Sequence, residues 1–529
     1  MSEFAKPEVE FFELLPLFLV CGAGFVGVLV EAFVPRRARY ITHLVVALAA
    51  LVASLVVVVR LAGSVAEHGE SARGLLAAVG SVAVDGPTLF LWGLLLVLSI
   101  GGVLLFAERQ LDGGVSAFSG MASATPGSDS ERVASTKGLE HTEVFPLLLF
   151  SVTGMMLFPA SNDLLTMFVA LEVLSLPLYL LTGLARRRRL LSQEAALKYF
   201  LLGAFASAFF LYGAALTYGY AGSMEFGAIA EAIRAGAGDH TLVLIGMGML
   251  AVGLLFKVGA APFQAWTPDV YQGAPTPLTA FMSAGTKVAA FGALMRLFYV
   301  AFGDDRWSWQ PMLWVIAVLS MFVGALLAVT QTDVKRILAY SAVAHTGFIL
   351  TGVLGVQASS ALAEQEITSL QAVLFYLTTY GFTSLGAFAV VGLVRDASGE
   401  ATALSKWAGL GKKSPVLAGV FAFLLLAMAG IPLTSGFVGK LAVFSVALAA
   451  GAWPVVIAAV LASVVAAYLY VRVIKTMYFD EPIGDGPSVT LPSLLTTTTI
   501  AVSVAVTLAL GVLPGPLLDL AAVAGEFIR

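Results

Sequence analysis

Long apolar stretches separated by short polar connectors run from one end of the chain to the other. A run of 18 or more residues with almost no charge is long enough to cross the ~30 Å hydrocarbon core of a bilayer as a helix. Fourteen such spans can be read: 11–33, 41–63, 86–106, 144–161, 163–184, 193–220, 241–272, 276–301, 311–329, 334–356, 368–394, 414–449, 453–478 and 490–514. The predicted fold class is therefore an all-α polytopic membrane protein. Composition agrees, since only 12% of the 529 residues are charged and 59% are hydrophobic. A soluble domain carries about 25% charge. The connectors and termini leave no room for a soluble catalytic domain. The first apolar run lacks a basic leader and is long enough to span, so no cleavable secretory signal is expected. The lone Cys21 cannot form an internal disulfide or ligate a cluster by itself, and packing is its expected role.

Charge placement gives an orientation. With the N-terminus outside, 18 of the 29 Lys and Arg fall on the cytoplasmic side and five lie inside spans. The other six, Lys6, Arg60, Arg73, Arg234, Arg306 and Arg529, fall outside. This bias predicts both termini on the outer side. The "RRRR" of Arg186–Arg189 then reads as a topogenic anchor and not as a nucleic-acid patch. Residues 107–143 are Gly/Ser-rich, polar and without period, and read as a flexible cytoplasmic loop.

An ionisable group at bilayer depth costs several kcal/mol unless it is paired or hydrated, so its default reading is functional. Glu172, Lys198, Lys257, Lys287, His345 and Lys440 are the candidates. Glu172 is midway along its span, Lys287 is about 15 Å deep at 1.5 Å per residue, and His345 is near the middle of "ILAYSAVAHTGFILTG". Bland readings stand beside these. Lys198 is shallow enough to snorkel, His345 could be a neutral core imidazole, and the rest could form structural ion pairs.

Two overlong spans carry the sharper signal. Residues 241–272 would make a straight helix of about 48 Å, longer than the membrane is thick. Gly259, Pro262 and Pro268 can break it just after Lys257. In 414–449, Gly430 and Pro432 supply the break, with Lys440 beyond it. Irregular backbone at this depth requires protein cover or water, which suggests a hydrated cavity facing each ammonium. Lys257 follows Glu172 by 85 residues, and Lys440 follows His345 by 95, in spans of opposite direction. That spacing predicts two inverted five-helix repeats. The expected division is 1–106 (three helices), 107–143 (loop), 144–301 and 302–478 (repeats) and 479–529 (a last helix).

Three stretches, "FKVGAAPFQAWTPDVYQGAPTPLTAFMSAGTKVAAF", "QTDVKRILAYSAVAHTGF" and "GIPLTSGFVGKLAVF", resemble the antiporter-like membrane subunits of respiratory complex I, an NADH–quinone oxidoreductase. The "WTPDVYQGAPTP" wording is nearer the N branch of that family than L or M, and the resemblance covers about residues 140–480. It implies that Glu172 pairs with Lys198, that Lys257 is the central proton carrier, that Lys287 continues the line, and that His345 and Lys440 serve a second half-channel. Proton translocation coupled to quinone reduction is the implied function, in a bacterial inner membrane. Subunit M, the small subunits K and J and a quinone-site module are the implied partners. Quinone, NADH, FMN and iron–sulfur clusters are then expected in partner chains, because this one has no P-loop, dinucleotide fingerprint or metal-ligand cluster. The "GDGP" of 484–487 is a turn signal. Two other readings share these residues: a subunit of a multi-subunit sodium/proton antiporter, and a non-conducting spacer of the membrane arm.

Overall fold

In a computed structural model, residues 9–67, 74–137, 139–236, 238–355, 359–362, 365–396, 399–482 and 486–528 are described. Lys6, Arg73 and Arg529 of the charge count, and Gly484 and Asp485 of the turn, lie outside the described residues. The N-terminal group is α1 (Leu15–Phe33), α2 (Arg36–Glu67) and α3 (Gly86–Phe106), followed by the short α4 (Asp129–Thr136). A first set holds α5 (Val144–Ala160), α6 (Leu164–Thr182), α7 (Arg189–Ala221), α8 (Phe226–Ala235), α9 (His240–Val258), α10 (Trp266–Gly273) and α11 (Thr276–Arg296). A second holds α12 (Arg306–Thr330), α13 (Val334–Val353), α14 (Ser369–Val391), the single turn α15 (Leu410–Lys413), α16 (Pro415–Ala429), α17 (Ser435–Ala449) and α18 (Trp453–Phe479). Last come α19 (Leu494–Val512) and α20 (Gly515–Val523).

Among the described residues, eleven helices are long and apolar enough to cross a membrane. The shorter apolar helices α5, α16 and α17 add to these, the last two as one broken pair, and α13 occupies the expected span 334–356. Helices α11 and α14 are wholly surrounded by protein and form the axis of the bundle, whereas α2 and α19 are mostly peripheral. The chain is not purely helical. Small antiparallel hairpins, β1 (Gly74–Ala77) with β2 (Val82–Asp85) and β3 (Ser359–Leu362) with β4 (Gln365–Thr368), lie in connectors. So does a three-stranded ribbon of β5 (Val394–Asp396) between β6 (Gly399–Glu400) and β7 (Ser488–Val489). Strand edges are tolerated there and not inside hydrocarbon.

The two sets repeat local devices. Asp163 caps α6 by accepting from the Thr166 N–H at 2.7 Å, and Asp333 caps α13 by accepting from the Arg336 N–H at 3.1 Å. Lipid offers no hydrophobic drive between helices, so close backbone contact has to hold them. A Cβ added to Gly154 of α5 would stand 2.2 Å from the Leu174 nitrogen of α6. One added to Gly324 of α12 would stand 2.3 Å from the Ala344 nitrogen of α13. These contacts fall two residues from Glu172 and one from His345. Corresponding helices are separated by five crossings, an odd number, so they run in opposite directions.

The described residues of the 107–143 connector make several contacts with the arginine run that follows α6. Arg186 donates to the carbonyls of Ser116 and Leu139, both at 2.8 Å. Arg189 donates to those of Met121 at 3.1 Å and Ala122 at 2.9 Å. Arg109 pairs with Glu140 and lies 3.5 Å from the centre of the Tyr40 ring. The composition of the segment does not show these contacts, because most of them are made by the arginine run beyond α6.

Candidate functional site

Helix α9 ends at Val258 because Gly259 takes the left-handed conformation, φ +73°. The Ala260 N–H then turns back to the Leu255 carbonyl at 2.9 Å, a Schellman-type stop. Helix α16 stops the same way: Gly430 has φ +84° and the Ile431 N–H reaches the Leu426 carbonyl at 3.1 Å. Each stop leaves the last helical carbonyl without a backbone donor. A lysine supplies one in both cases. Lys287 of α11 donates to the Val258 carbonyl at 3.1 Å, and Lys440 of α17 donates to the Ala429 carbonyl at 2.9 Å.

Lys257, in the last turn of α9, donates to the Ser175 hydroxyl at 2.6 Å and lies 5.8 Å and 5.6 Å from the ring centres of Tyr179 and Tyr199. Ser175 is three residues beyond Glu172 on α6, hence on the same helix face. Lys287 also donates to the Ala342 carbonyl at 2.6 Å and to the Thr346 hydroxyl. Thr346 itself donates to the Val258 carbonyl at 2.8 Å. One carbonyl, next in sequence to Lys257, thus gathers Lys287 and the neighbour of His345. The His345 imidazole faces the Tyr376 hydroxyl at 2.9 Å and the Tyr470 hydroxyl at 3.3 Å. Phe348, on the same face of α13, packs its ring 5.7 Å from the imidazole and 4.6 Å from the Lys440 ammonium. Lys257, Lys287, His345 and Lys440 are all buried.

Four polar atoms at the two breaks are buried without a protein partner among the described residues. They are the Tyr199 hydroxyl, Gln264 Oε1 and Thr267 Oγ1 at the first break and Ser435 Oγ at the second. Buried polar groups of this kind are ordinarily satisfied by water. Hydroxyl, imidazole and water can each donate and accept, which passing a proton requires.

The implied Glu172–Lys198 pair is not formed. Glu172 instead accepts from the Ser207 hydroxyl of α7. Ser207 is nine residues beyond Lys198, roughly 13.5 Å along the helix at 1.5 Å per residue. Lys198 is 44% exposed and pairs with Glu194 at 2.7 Å and with Asp269 at 2.8 Å. Asp269, on α10, also accepts from Arg336 of α13 at 2.7 Å. Asp269 is legible in the sequence as a carboxylate inside the broken span.

Lys335, one of the 18 Lys and Arg that the charge count places on the cytoplasmic side, is fully buried in the first turn of α13. It donates to the Ala274 carbonyl at 2.7 Å and to Thr276 at 3.1 Å, with Glu400 at 3.6 Å. Burial alone would raise the Glu400 carboxyl, but Lys335, Thr276, Arg395 and Arg188 hold it below its usual range. Among the described residues no group of three or more His, Cys, Asp and Glu could hold a metal ion.

Residues 161–466 match the family described as NADH:quinone oxidoreductase/Mrp antiporter, transmembrane. NADH-quinone oxidoreductase subunit N of Nocardioides sp. is 66% identical over 100% of both chains. A chain of the respiratory complex I from Thermus thermophilus superposes with a TM-score of 0.75 at 34% identity, covering 97% of this chain and 100% of that one. A chain of the Mrp complex from Dietzia sp. has a TM-score of 0.78 over 98% of this chain and 97% of its own, but at 22% identity that likeness shows the fold alone. The chain belongs to the antiporter-like membrane subunits of NADH–quinone oxidoreductase, among the subunits N.

Proposed function

We propose that this chain carries protons within the membrane arm, along a line built from Glu172, Lys257, Lys287, His345 and Lys440, with Lys198 at its edge. The observation that supports this reading best is the Val258 carbonyl. It joins the helix of Lys257 to Lys287 and to Thr346, the neighbour of His345, and so brings the surroundings of three buried titratable groups together. The sets 144–301 and 302–478 act as two half-channels of opposite direction. The Lys and Arg bias supports placing both termini outside and the face of Arg186–Arg189 in the cytoplasm.

The chain performs no redox step in this reading. Quinone reduction in partner subunits supplies the energy, and NADH, FMN, iron–sulfur and quinone sites belong to those subunits. This chain responds through charge. A nearby carboxylate favours a protonated lysine and burial disfavours it, so changing the surroundings of Glu172 changes how firmly Lys257 holds its proton.

Sodium dependence separates this reading from the antiporter one. A metal cation needs several oxygen ligands, whereas the proposed path holds four lysines and one histidine against one glutamate. Turnover and proton pumping of the native complex reconstituted in vesicles should not change with sodium at constant ionic strength. Sodium counter-transport that vanishes in Lys257→Ala or Glu172→Gln complex would overturn the proposal.

A further inference from the structure

The connector that joins α3 to α5 does not only pack on the arginine run. Between α4 and the start of α7 it leaves an open cleft of about 880 Å³. Arg132, Arg186, Arg187, Arg188 and Arg189 line it, with Glu131 as the one carboxylate of the lining. Arg132 pairs with Asp129, Arg187 with Asp112 and Arg189 with Glu131 at 3.4 Å, while Arg186 and Arg188 make no ion pair among the described residues, so the five arginines outnumber the carboxylates that meet them. The contacts of Arg186 go to the Ser116 and Leu139 carbonyls, and those of Arg188 to the Glu400 carbonyl and the Thr402 hydroxyl. Arg187 is 50% exposed, and the Asp112 it meets at 3.2 Å is shared with Arg395.

A second feature adjoins the cleft. Leu190, in its lining, is 72% exposed and begins an apolar stripe on α7. Leu197, Leu201, Phe205 and Tyr212 continue that stripe, each more than half exposed. The spacing of seven and four residues keeps them on one face of the helix. The stripe descends roughly 16 Å from Leu190 to Leu201 at 1.5 Å per residue, about one leaflet. A cationic cleft at the end of a span, above an exposed apolar track, matches a ligand with an anionic head and hydrocarbon tails. Basic pockets beside transmembrane helices bind acidic headgroups in this way.

We propose that the cleft between α4 and Arg186–Arg189 binds the headgroup of an anionic phospholipid whose acyl chains lie along the outer face of α7. The lipid bridges the connector and α7, the helix that carries Lys198 and Ser207.

The test places a photo-reactive amino acid at position 136, where the exposed Thr136 lines the cleft. The native complex is held in vesicles of phosphatidylcholine and phosphatidylglycerol in equal amounts, and adducts on this chain are identified by mass spectrometry. Phosphatidylglycerol adducts should predominate. Each arginine near a membrane surface contributes about fivefold in affinity, so Arg187→Gln with Arg188→Gln should cut the adduct about twenty-five-fold. Arg132→Gln, which removes an exposed side chain paired with Asp129, should cut it about fivefold and covers the case in which the double variant does not assemble. Millimolar inorganic phosphate should leave the adduct unchanged. Equal labelling of both lipids, adducts that survive both arginine changes, displacement by inorganic phosphate, or adducts to an acidic segment of a partner subunit would each overturn the proposal.

Discussion

Lys287 donates to the carbonyl oxygen of Val258, the last helical residue before a left-handed glycine. Lys440 does the same for Ala429. A helix interrupted in mid-membrane exposes its negative dipole end, and an ammonium there is stabilised by it. The breaks and the lysines are therefore one device made twice.

That device makes the two glycines testable. Left-handed backbone costs a residue with a Cβ roughly 1–2 kcal/mol. In Gly430→Ala the new methyl would also meet Lys440 Cδ at 3.0 Å, and in Gly259→Ala it would meet Thr267 Oγ1 at 2.9 Å. Both variants should assemble with reduced proton pumping per NADH oxidised. Gly430→Ala should lose more, because the methyl meets the side chain of the lysine itself. Unchanged pumping in both would separate the breaks from transport.

Lys198 and Asp269 should be coupled, and Lys198 and Glu172 should not. Stability of assembled complex can be measured for Lys198→Ala, Asp269→Asn and both together. The pair is partly exposed, so a coupling of at most about 1 kcal/mol is expected. The same cycle with Glu172→Gln should be additive within about 0.3–0.5 kcal/mol. Glu172→Gln alone should still cripple turnover with assembly intact, and Glu172→Asp should be milder. Additivity with Asp269 and strong coupling with Glu172 would restore the pair that the resemblance implied.

The contrast between these two pairs marks what the sequence could reveal. A lysine in an apolar run and a Gly–Pro break are conspicuous, so Lys257, Lys440 and both interruptions were legible. The partners were not. Hydroxyls such as Ser175, Ser207 and Thr346 are ordinary in membrane helices, and only three-dimensional packing shows which ones meet a charge. Lys335 shows the converse: a lysine at the edge of a span carries no sequence sign of burial, and its contacts with the Ala274 carbonyl and Thr276 come from packing. The contacts of the 107–143 connector are not legible in its own composition, because they come chiefly from arginines that lie beyond it.

Asp85 and Arg296 form a pair in which both side chains are 0% exposed, and Thr88 and the Pro159 carbonyl also accept from the guanidinium, whose Nη1 is buried without a partner among the described residues. Removing one partner of such a pair leaves an uncompensated buried charge and costs about 3–5 kcal/mol. Asp85→Asn should lower the temperature at which the complex loses activity while leaving proton pumping per turnover unchanged in what survives. A change in pumping ratio at full thermal stability would assign the pair to transport.

The measurement nearest the centre is proton translocation by the purified native complex, reconstituted in vesicles, with Lys257 replaced. Lys257→Ala removes the ammonium that meets Ser175, and Lys257→Arg keeps a charge that does not release its proton. Both variants should assemble with normal partner content and lose most quinone-linked proton pumping. Wild-type pumping by assembled Lys257→Ala complex would contradict the proton line and leave the chain as a spacer of the membrane arm.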